Sequence, residues 1–234
     1  MKKNLCAAAL CAALSACGGG GSESAPPVAV TPPVSQAPKC TPVAVVKIQL
    51  FGDSTQWGYD GETKEQSVNN PTAALQRLMD ARFGVGAVTV EDRASSGTTA
   101  WNLIEGSDSV NKPWPGSVNA DITVANFGIN EQRLSVPIDT YKANLRKLTG
   151  LTVYETPSPV WAYWAAPGFP EAMKSVAAET KTPVADVDAY VRGLPNWQTY
   201  LADAVHPNAT LYGLIVSNVL FPTLAPMVAK LKCE

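Results

Sequence analysis

Histidine is almost absent from this 234-residue chain, which contains His206 and no other. A zinc site built from several imidazole ligands is therefore excluded. Any catalytic or binding step that requires an imidazole must use His206.

Charged residues are also scarce. They make up 16% of the chain and leave a net charge of −2, against the ~25% of charged residues typical of folded proteins. A nucleic-acid partner requires a concentration of basic side chains, so nucleic acid is excluded as the main partner. The apolar fraction of 46% is ordinary for a folded chain, and the length suits one large domain or two small ones.

The first residues lack an apolar run long enough to cross a membrane. The run at residues 5–14 follows two lysines at 2–3 and is too short, because a spanning helix needs ~20 residues. This arrangement is typical of an export signal. The sequence LSAC at 14–17 resembles the lipobox of bacterial lipoproteins, which implies cleavage before Cys17, acylation of Cys17 and, with Gly18 next, transport to the outer membrane. The alternative is an ordinary cleaved signal with a chance cysteine.

The segment that follows has the composition of a tether. Residues 18–39 begin with a run of glycines and continue with several prolines and few large apolar side chains. Glycine confers flexibility, and proline favours extended polyproline II at ~3 Å per residue. We therefore predict a signal peptide at 1–16, a lipidated cysteine and tether at 17–39, and a folded domain at 40–234. Membrane contact is expected through the N-terminal lipid only.

Two cysteines, Cys40 and Cys233, lie at the two ends of the predicted folded domain. Export would carry them into an oxidising compartment, where disulfides persist, so we predict a bond between them. Closing a loop of this length contributes up to ~5 kcal/mol in the chain-entropy model. The alternative is two free thiols that never meet.

Strand and helix signals alternate along the folded domain. Short β-branched runs predict strands at Val43–Phe51, Val85–Val90, Asp121–Phe127, Val160–Trp164 and Val184–Val187. Helical spacing of apolar residues predicts helices at Pro71–Phe83, Pro137–Leu148 and Asn208–Leu231, the last with a bend at Pro222, and a helix start within Thr98–Ile104. This alternation predicts one doubly wound α/β domain, with a five-stranded parallel sheet covered on both faces.

Unusual polar turns follow the predicted strands. They are Gly52-Asp53-Ser54, residues 93–97, Gly128-Ile129-Asn130 and, before the last helix, residues 203–207. In an open parallel sheet the ligand site lies outside the carboxyl ends of the strands. The four turns are therefore expected to meet at one rim.

Together these turns contain the groups needed for nucleophilic catalysis. A serine such as Ser54 needs a base to accept its proton, and His206 is the only imidazole. Asp203, three residues before it, can orient the imidazole while remaining ionised. The backbone N–H groups of Ser54 and Gly97 and the side-chain amide of Asn130 can donate to a developing oxyanion.

These blocks, G-D-S, a glycine, G-x-N and D-x-x-H-P, in this order over residues 43–220, resemble those of the SGNH (GDSL) hydrolases. The resemblance implies Ser54 as nucleophile and first oxyanion donor, Gly97 and Asn130 as the other donors, His206 as base and Asp203 as its partner. It also implies a flavodoxin-like three-layer α/β/α sandwich that hydrolyses esters or thioesters without metal or cofactor.

The match has departures. Glu131 stands where the family usually has aspartate, Asp92 where it has asparagine, and Ala94 where it has glycine. These leave the subfamily open. A purely structural reading of the same motifs has Ser54 as a helix cap, the glycines as turn residues, and Asp203 and His206 as a surface pair.

Candidates for substrate contact are Trp57, Tyr59 and Glu131, which lie close to Ser54 or Asn130 in the sequence. The remaining tryptophans are more typical of a core. The overall prediction is a lipid-anchored serine esterase of the bacterial cell envelope, at the outer membrane, that acts on small-molecule or glycan esters with short acyl groups such as acetyl. A lipase or thioesterase of the same family, or a non-catalytic glycan-binding lipoprotein, stays open, as does the oligomeric state.

Overall fold

The computed structural model describes residues 40–234. The predicted signal peptide, Cys17 and the tether lie outside the described residues.

Five parallel strands form the centre of the domain. They are β1 (Val46–Gly52), β2 (Val88–Asp92), β3 (Ile122–Asn126), β4 (Val153–Glu155) and β5 (Val184–Ala185). The order across the sheet is β2-β1-β3-β4-β5, and all four neighbouring pairs are parallel. Parallel neighbours require crossover connections, which cover both faces of a sheet with helices.

The helices of the described residues connect these strands. They are α1 (Ser54–Trp57), α2 (Pro71–Phe83), α3 (Ala100–Glu105), α4 (Ile129–Arg133), α5 (Ile138–Lys147), α6 (Phe169–Thr180), α7 (Val187–Arg192), α8 (Ala209–Ile215) and α9 (Phe221–Leu231). A 3₁₀ turn spans Trp197–Tyr200, and a π-helical segment, Val216–Leu220, joins α8 to α9.

Each face of the sheet has its own apolar core. On one face, strand residues such as Ile48 and Val124 contact α2, α7 and the α8–α9 helix. On the other face, Phe51 and Tyr154 pack among residues of α3, α5 and α6. The predicted three-layer α/β/α fold with a five-stranded parallel sheet is therefore confirmed.

The fourth strand lies elsewhere than predicted. Val160–Trp164 is irregular, and β4 is the three-residue strand Val153–Glu155. Pro157 and Pro159 precede the predicted segment and have no N–H to donate to a sheet ladder. Trp161 donates its N–H to the carbonyl of Ala204 instead, at 2.7 Å.

Other boundaries differ more modestly. β2 begins three residues late, because Gly84 and Gly86 adopt positive φ angles in the preceding turn. Helices α1, α4, α6 and α7 were not predicted. The last helix contains a π-helical segment, Val216–Leu220, just before Pro222, the position at which a bend is predicted. Proline has no N–H to donate to the regular helical hydrogen-bond ladder.

The α8–α9 helix, Ala209–Leu231, is the one helix of the described residues long and apolar enough to cross a membrane. A core helix of a folded domain passes the same test. Its residues Leu211, Val216 and Leu224 are fully buried against the sheet and α2, so its apolar character is accounted for by the core.

The two ends of the domain are joined. Cys40 and Cys233 form a disulfide with their Cα atoms 5.8 Å apart. Close by, the Val43 N–H donates to the carbonyl of Leu231 at 2.9 Å. The chain preceding β1 is thus fastened to the end of α9.

We expect the double substitution Cys40→Ser/Cys233→Ser to lower the free energy of unfolding by up to about 5 kcal/mol, because the unfolded chain regains the entropy of a long closed loop. Urea denaturation of both proteins with and without reductant measures the effect. Reductant should weaken the wild type and leave the double variant unchanged. Equal stability of the two proteins without reductant would contradict the prediction.

Candidate active site

Ser54 is positioned by a short helix at the end of β1. Asp53 caps this helix, since its Oδ1 accepts from the N–H of Thr55 at 2.9 Å and from the Thr55 hydroxyl at 2.8 Å. Gly58 ends the helix with a φ of 84°, a left-handed conformation that favours glycine. The strand and the two caps together fix Ser54 as the first residue of α1, at the carboxyl end of the sheet.

A continuous line of hydrogen bonds runs from Ser54 to Asp203. The Ser54 Oγ lies 2.9 Å from His206 Nε2. The Nδ1 of the same imidazole lies 2.8 Å from Asp203 Oδ2. This arrangement lets the carboxylate hold the proton on Nδ1 and leaves Nε2 free to accept from the serine hydroxyl.

The Asp203 carboxylate is held by further contacts. Its Oδ1 accepts from the N–H groups of Val205 and His206, both at 2.7 Å. Burial raises the pKa of Asp203, but hydrogen bonds from the backbone and ring of His206 and from Val205 outweigh it, so the pKa is lowered. A Cβ on Gly61 would overlap Asp203 Oδ2, so a glycine is required beside the carboxylate.

The segment that contains His206 is itself braced. Leu201 and Pro207 form an isolated antiparallel bridge, and the N–H of Ala202 donates to the carbonyl of His206 at 2.8 Å. The ring of Tyr59 lies 4.7 Å from the imidazole. These contacts limit the positions that the imidazole can adopt.

The second and third turns contribute Gly97 and Asn130. The Nδ2 of Asn130 donates to the carbonyl of Thr98 at 2.8 Å, which uses one of its two N–H bonds. Gly97 has a φ of 80°, and no atom of residues 40–234 lies within 4 Å of where a Cβ would be. Glycine is therefore required at position 97 by the backbone conformation and not by lack of space.

Ser54, Gly97, Asn130, Asp203 and His206, predicted to lie together, line one cleft of about 340 Å³. The other residues that line it are Tyr59, Ser96, Ile129, Arg133, Trp164 and Val205.

Only one of the three residues predicted to contact the substrate lines the cleft. Tyr59 lines the cleft, whereas Trp57 and Glu131 do not. Glu131 is 1% exposed because its side chain turns inward, where Oε1 accepts from the Ala100 N–H at 2.8 Å. The Trp57 ring is half-buried beside Tyr59, with the ring centres 6.3 Å apart.

Sequence reasoning missed Arg133 and favoured a core position for Trp164 over a place in the site. Arg133 follows Asn130 by three positions on α4, so helical spacing alone places the two side chains on one face. Trp164 lies on the irregular segment for which a strand was predicted. No sequence signal pointed to its position.

Three buried acids surround the strand ends. Burial raises the pKa of Asp53 to about 6, against hydrogen bonds from Thr55 and the nearby His206, which lower it. Burial likewise raises the pKa of Glu131 to about 7 and that of Glu155 to about 8, and the Asp53 charge contributes to both shifts. One carboxyl oxygen of each lacks a hydrogen-bond partner among the described residues.

Comparison with known proteins gives a family and a fold. The sequence model of the GDSL-like lipase/acylhydrolase family matches residues 50–214, more than half of the chain. A search of curated proteins finds no match. Among solved structures, a lipase/acylhydrolase from Enterococcus faecalis is similar with a TM-score of 0.62 at 20% identity, over 78% of this chain and 96% of the other.

Two further structures have the same fold. An acetylxylan esterase from Geobacillus stearothermophilus gives a TM-score of 0.57 at 19% identity, over 78% of this chain and 94% of the other. An alpha/beta hydrolase enzyme from the metagenome of Lake Arreo, Spain, gives a TM-score of 0.54 at 19% identity, over 80% and 95%.

Glu155 permits a test of the buried acids. Its pKa of about 8 in the folded chain exceeds the ordinary 4.5, so the folded state binds the proton more tightly than the unfolded state does. The free energy of unfolding therefore falls as the pH rises through this window. We expect the stability of Glu155→Gln relative to wild type to increase across it by on the order of 1 kcal/mol per pH unit.

Urea denaturation at pH 5, 6.5 and 8 measures this difference. Glu105→Gln, at an exposed glutamate that ends α3, serves as the control and should show no such trend. A difference between Glu155→Gln and wild type that stays constant with pH would contradict the prediction.

Proposed function

This chain belongs to the GDSL-like lipase/acylhydrolase family and hydrolyses ester bonds, and from that premise we propose that it is a serine esterase for short-acyl esters, acetyl esters of carbohydrates among them. The observation that supports this most directly is the line of hydrogen bonds from Asp203 through His206 to Ser54, which ends in an open cleft.

In the proposed reaction Ser54 Oγ attacks the ester carbonyl, and His206 Nε2 accepts the proton of the serine hydroxyl. The protonated imidazole then donates that proton to the departing alcohol, which leaves an acyl-serine. Water attacks the acyl-serine by the same route and releases the acid. Asp203 stays ionised throughout and stabilises the charged imidazole, consistent with its lowered pKa.

Negative charge develops on the carbonyl oxygen in both steps. The N–H groups of Ser54 and Gly97 and the remaining N–H of Asn130 are the proposed donors to it. Asn130 also holds the Thr98 carbonyl, so its side chain is oriented before substrate binds. Donors that are fixed in advance stabilise the transition state without a cost of reorganisation.

The size of the cleft supports a short acyl group. Its volume of about 340 Å³ lies at the small end of the range for ligand sites, ~300–1,000 Å³. Among the described residues that line the cleft, Ile129 and Val205 are the only two with aliphatic side chains. The acetylxylan esterase of similar fold supports acetylated carbohydrate as substrate.

We expect Ser54→Ala and His206→Ala each to lower the kcat for 4-nitrophenyl acetate by about 10³-fold or more, because each removes a group that acts in every step. Steady-state kinetics of the purified full chain measures this, and circular dichroism checks that the variants fold. A fluorophosphonate probe should label the wild type and not Ser54→Ala.

Ser217→Ala is a matched control, because this exposed hydroxyl contacts only its own helix. Wild-type rates in either site variant would exclude the proposed mechanism. A preference for 4-nitrophenyl octanoate over acetate would favour a lipase. No turnover and no labelling by the folded wild type would favour a glycan-binding protein.

We further propose that the chain is a lipoprotein of the bacterial cell envelope, anchored at the outer membrane through Cys17. The lipobox-like sequence LSAC before Gly18 supports this. In a bacterial host, radiolabelled palmitate should be incorporated into the wild type and not into Cys17→Ser. Equal incorporation in the two would contradict the proposal.

A further inference from the structure

Arg133 lines the cleft and has no polar partner within the part of the chain that the structure describes. It ends α4, and its side chain shares the cleft with Asn130. Its guanidinium forms no salt bridge and no hydrogen bond with any group of residues 40–234. The other arginines of this range each donate to another side chain: Arg77, Arg82, Arg93, Arg146 and Arg192.

Among residues 40–234, no other charge in the cleft compensates Arg133. The lining also contains the carboxylate of Asp203 and the imidazole of His206, and these two side chains bind each other. An anionic group that enters the cleft would therefore meet one unpaired cation. A guanidinium presents several N–H donors in one plane and matches a carboxylate in a two-point hydrogen bond.

An aromatic side chain forms another wall of the same cleft. Trp164 belongs to the aromatic segment, defined here as residues 157–168, which lies outside strands and helices up to the start of α6. The segment is fastened at two points: Trp161 N–H donates to the Ala204 carbonyl at 2.7 Å, and Ala166 N–H donates to Gln132 Oε1 at 3.2 Å. Trp164 is thus held between the His206 segment and α4.

The aromatic segment also has exposed rings on either side of Trp164 in the sequence. Trp161 is 67% exposed and Tyr163 is fully exposed. Aromatic rings offer a broad apolar face with a polar edge, which suits stacking on the apolar face of a sugar ring.

We propose that the ester substrate is an acidic glycan, in which Arg133 pairs with the carboxylate of a uronate-type sugar and Trp164 supports the sugar ring. This inference rests on the proposed function and specifies its substrate class. Arg133 is then a specificity-determining residue that contacts the substrate but not the reacting atoms.

Competition with a small neutral ester tests this inference. The rate at which the full chain hydrolyses 4-nitrophenyl acetate is to be measured in the presence of a galacturonic acid trimer or of a neutral galactose trimer. We expect the inhibition constant of the acidic trimer to be about tenfold lower or more, because a charge-assisted pair supplies the difference. High salt should reduce this preference.

The variants separate charge from stacking. Arg133→Gln should make the two inhibition constants equal, and Trp164→Ala should raise both while keeping their ratio. Arg82→Gln is the matched control, because Arg82 lies in the last turn of α2 and pairs with Glu234 outside the cleft. It should behave as wild type.

The outcomes distinguish the two proposals. Wild type that does not hydrolyse 4-nitrophenyl acetate overturns the proposed function and this inference with it. Wild type that hydrolyses the ester but binds both trimers equally, or an Arg133→Gln variant that keeps the preference, overturns the acidic glycan alone. Inhibition by phosphatidylglycerol vesicles without inhibition by the acidic trimer overturns it in favour of an anionic lipid.

Discussion

Parallel pairing of the strands is the constraint on which the cleft depends. In a parallel sheet every strand ends at the same edge, so residues far apart in the sequence meet there. The register aligns the carboxyl ends of the strands, because Gly52 pairs with Asn126 and Leu50 pairs with Asp92. Ser54 and Asn130 follow these strand ends by a few residues. A shift of one residue would turn the buried strand side chains to the opposite face.

The carboxyl groups in and around the cleft show how hydrogen bonds and burial determine whether a side chain is ionised. Asp203 accepts three hydrogen bonds, two of them from backbone N–H groups, and its pKa is lowered although burial raises it. Glu131 and Glu155 are almost fully buried with one oxygen unpartnered, and their pKa values are raised. The same functional group is therefore kept ionised in one place and favours the neutral form in another, within one small region.

Motifs and periodicity predicted much of this structure. The helix at Pro71–Phe83 coincides with α2 because Asn70 caps it, Pro71 begins it and Gly84 ends it, and such end signals are local. Four of the five strands, β1, β2, β3 and β5, were predicted within a few residues of their observed bounds. The polar turns were predicted to converge because the sheet is parallel, which the alternation of elements indicated.

What escaped prediction depends on contacts distant in the sequence. β4 is a three-residue strand, too short to show a period, and only its pairing with β3 and β5 defines it. The apolar run at Val160–Trp164 has the local pattern of a strand, but the prolines before it have no N–H to donate to a neighbouring strand. The direction of Trp164 depends on its neighbours' bonds to Ala204 and Gln132. The inward turn of Glu131 likewise depends on the N-terminus of α3.

The disulfide between Cys40 and Cys233 has a consequence for how the domain is presented to its surroundings. β1 runs from the joined ends toward the cleft and is about 20 Å long at the usual rise per residue. Cys40 and Cys233 therefore lie at the end of the sheet remote from Ser54. A solid support attached next to Cys233 would therefore lie on the side of the domain away from the opening of the cleft, and polymers too large to diffuse beneath the domain would still reach that opening.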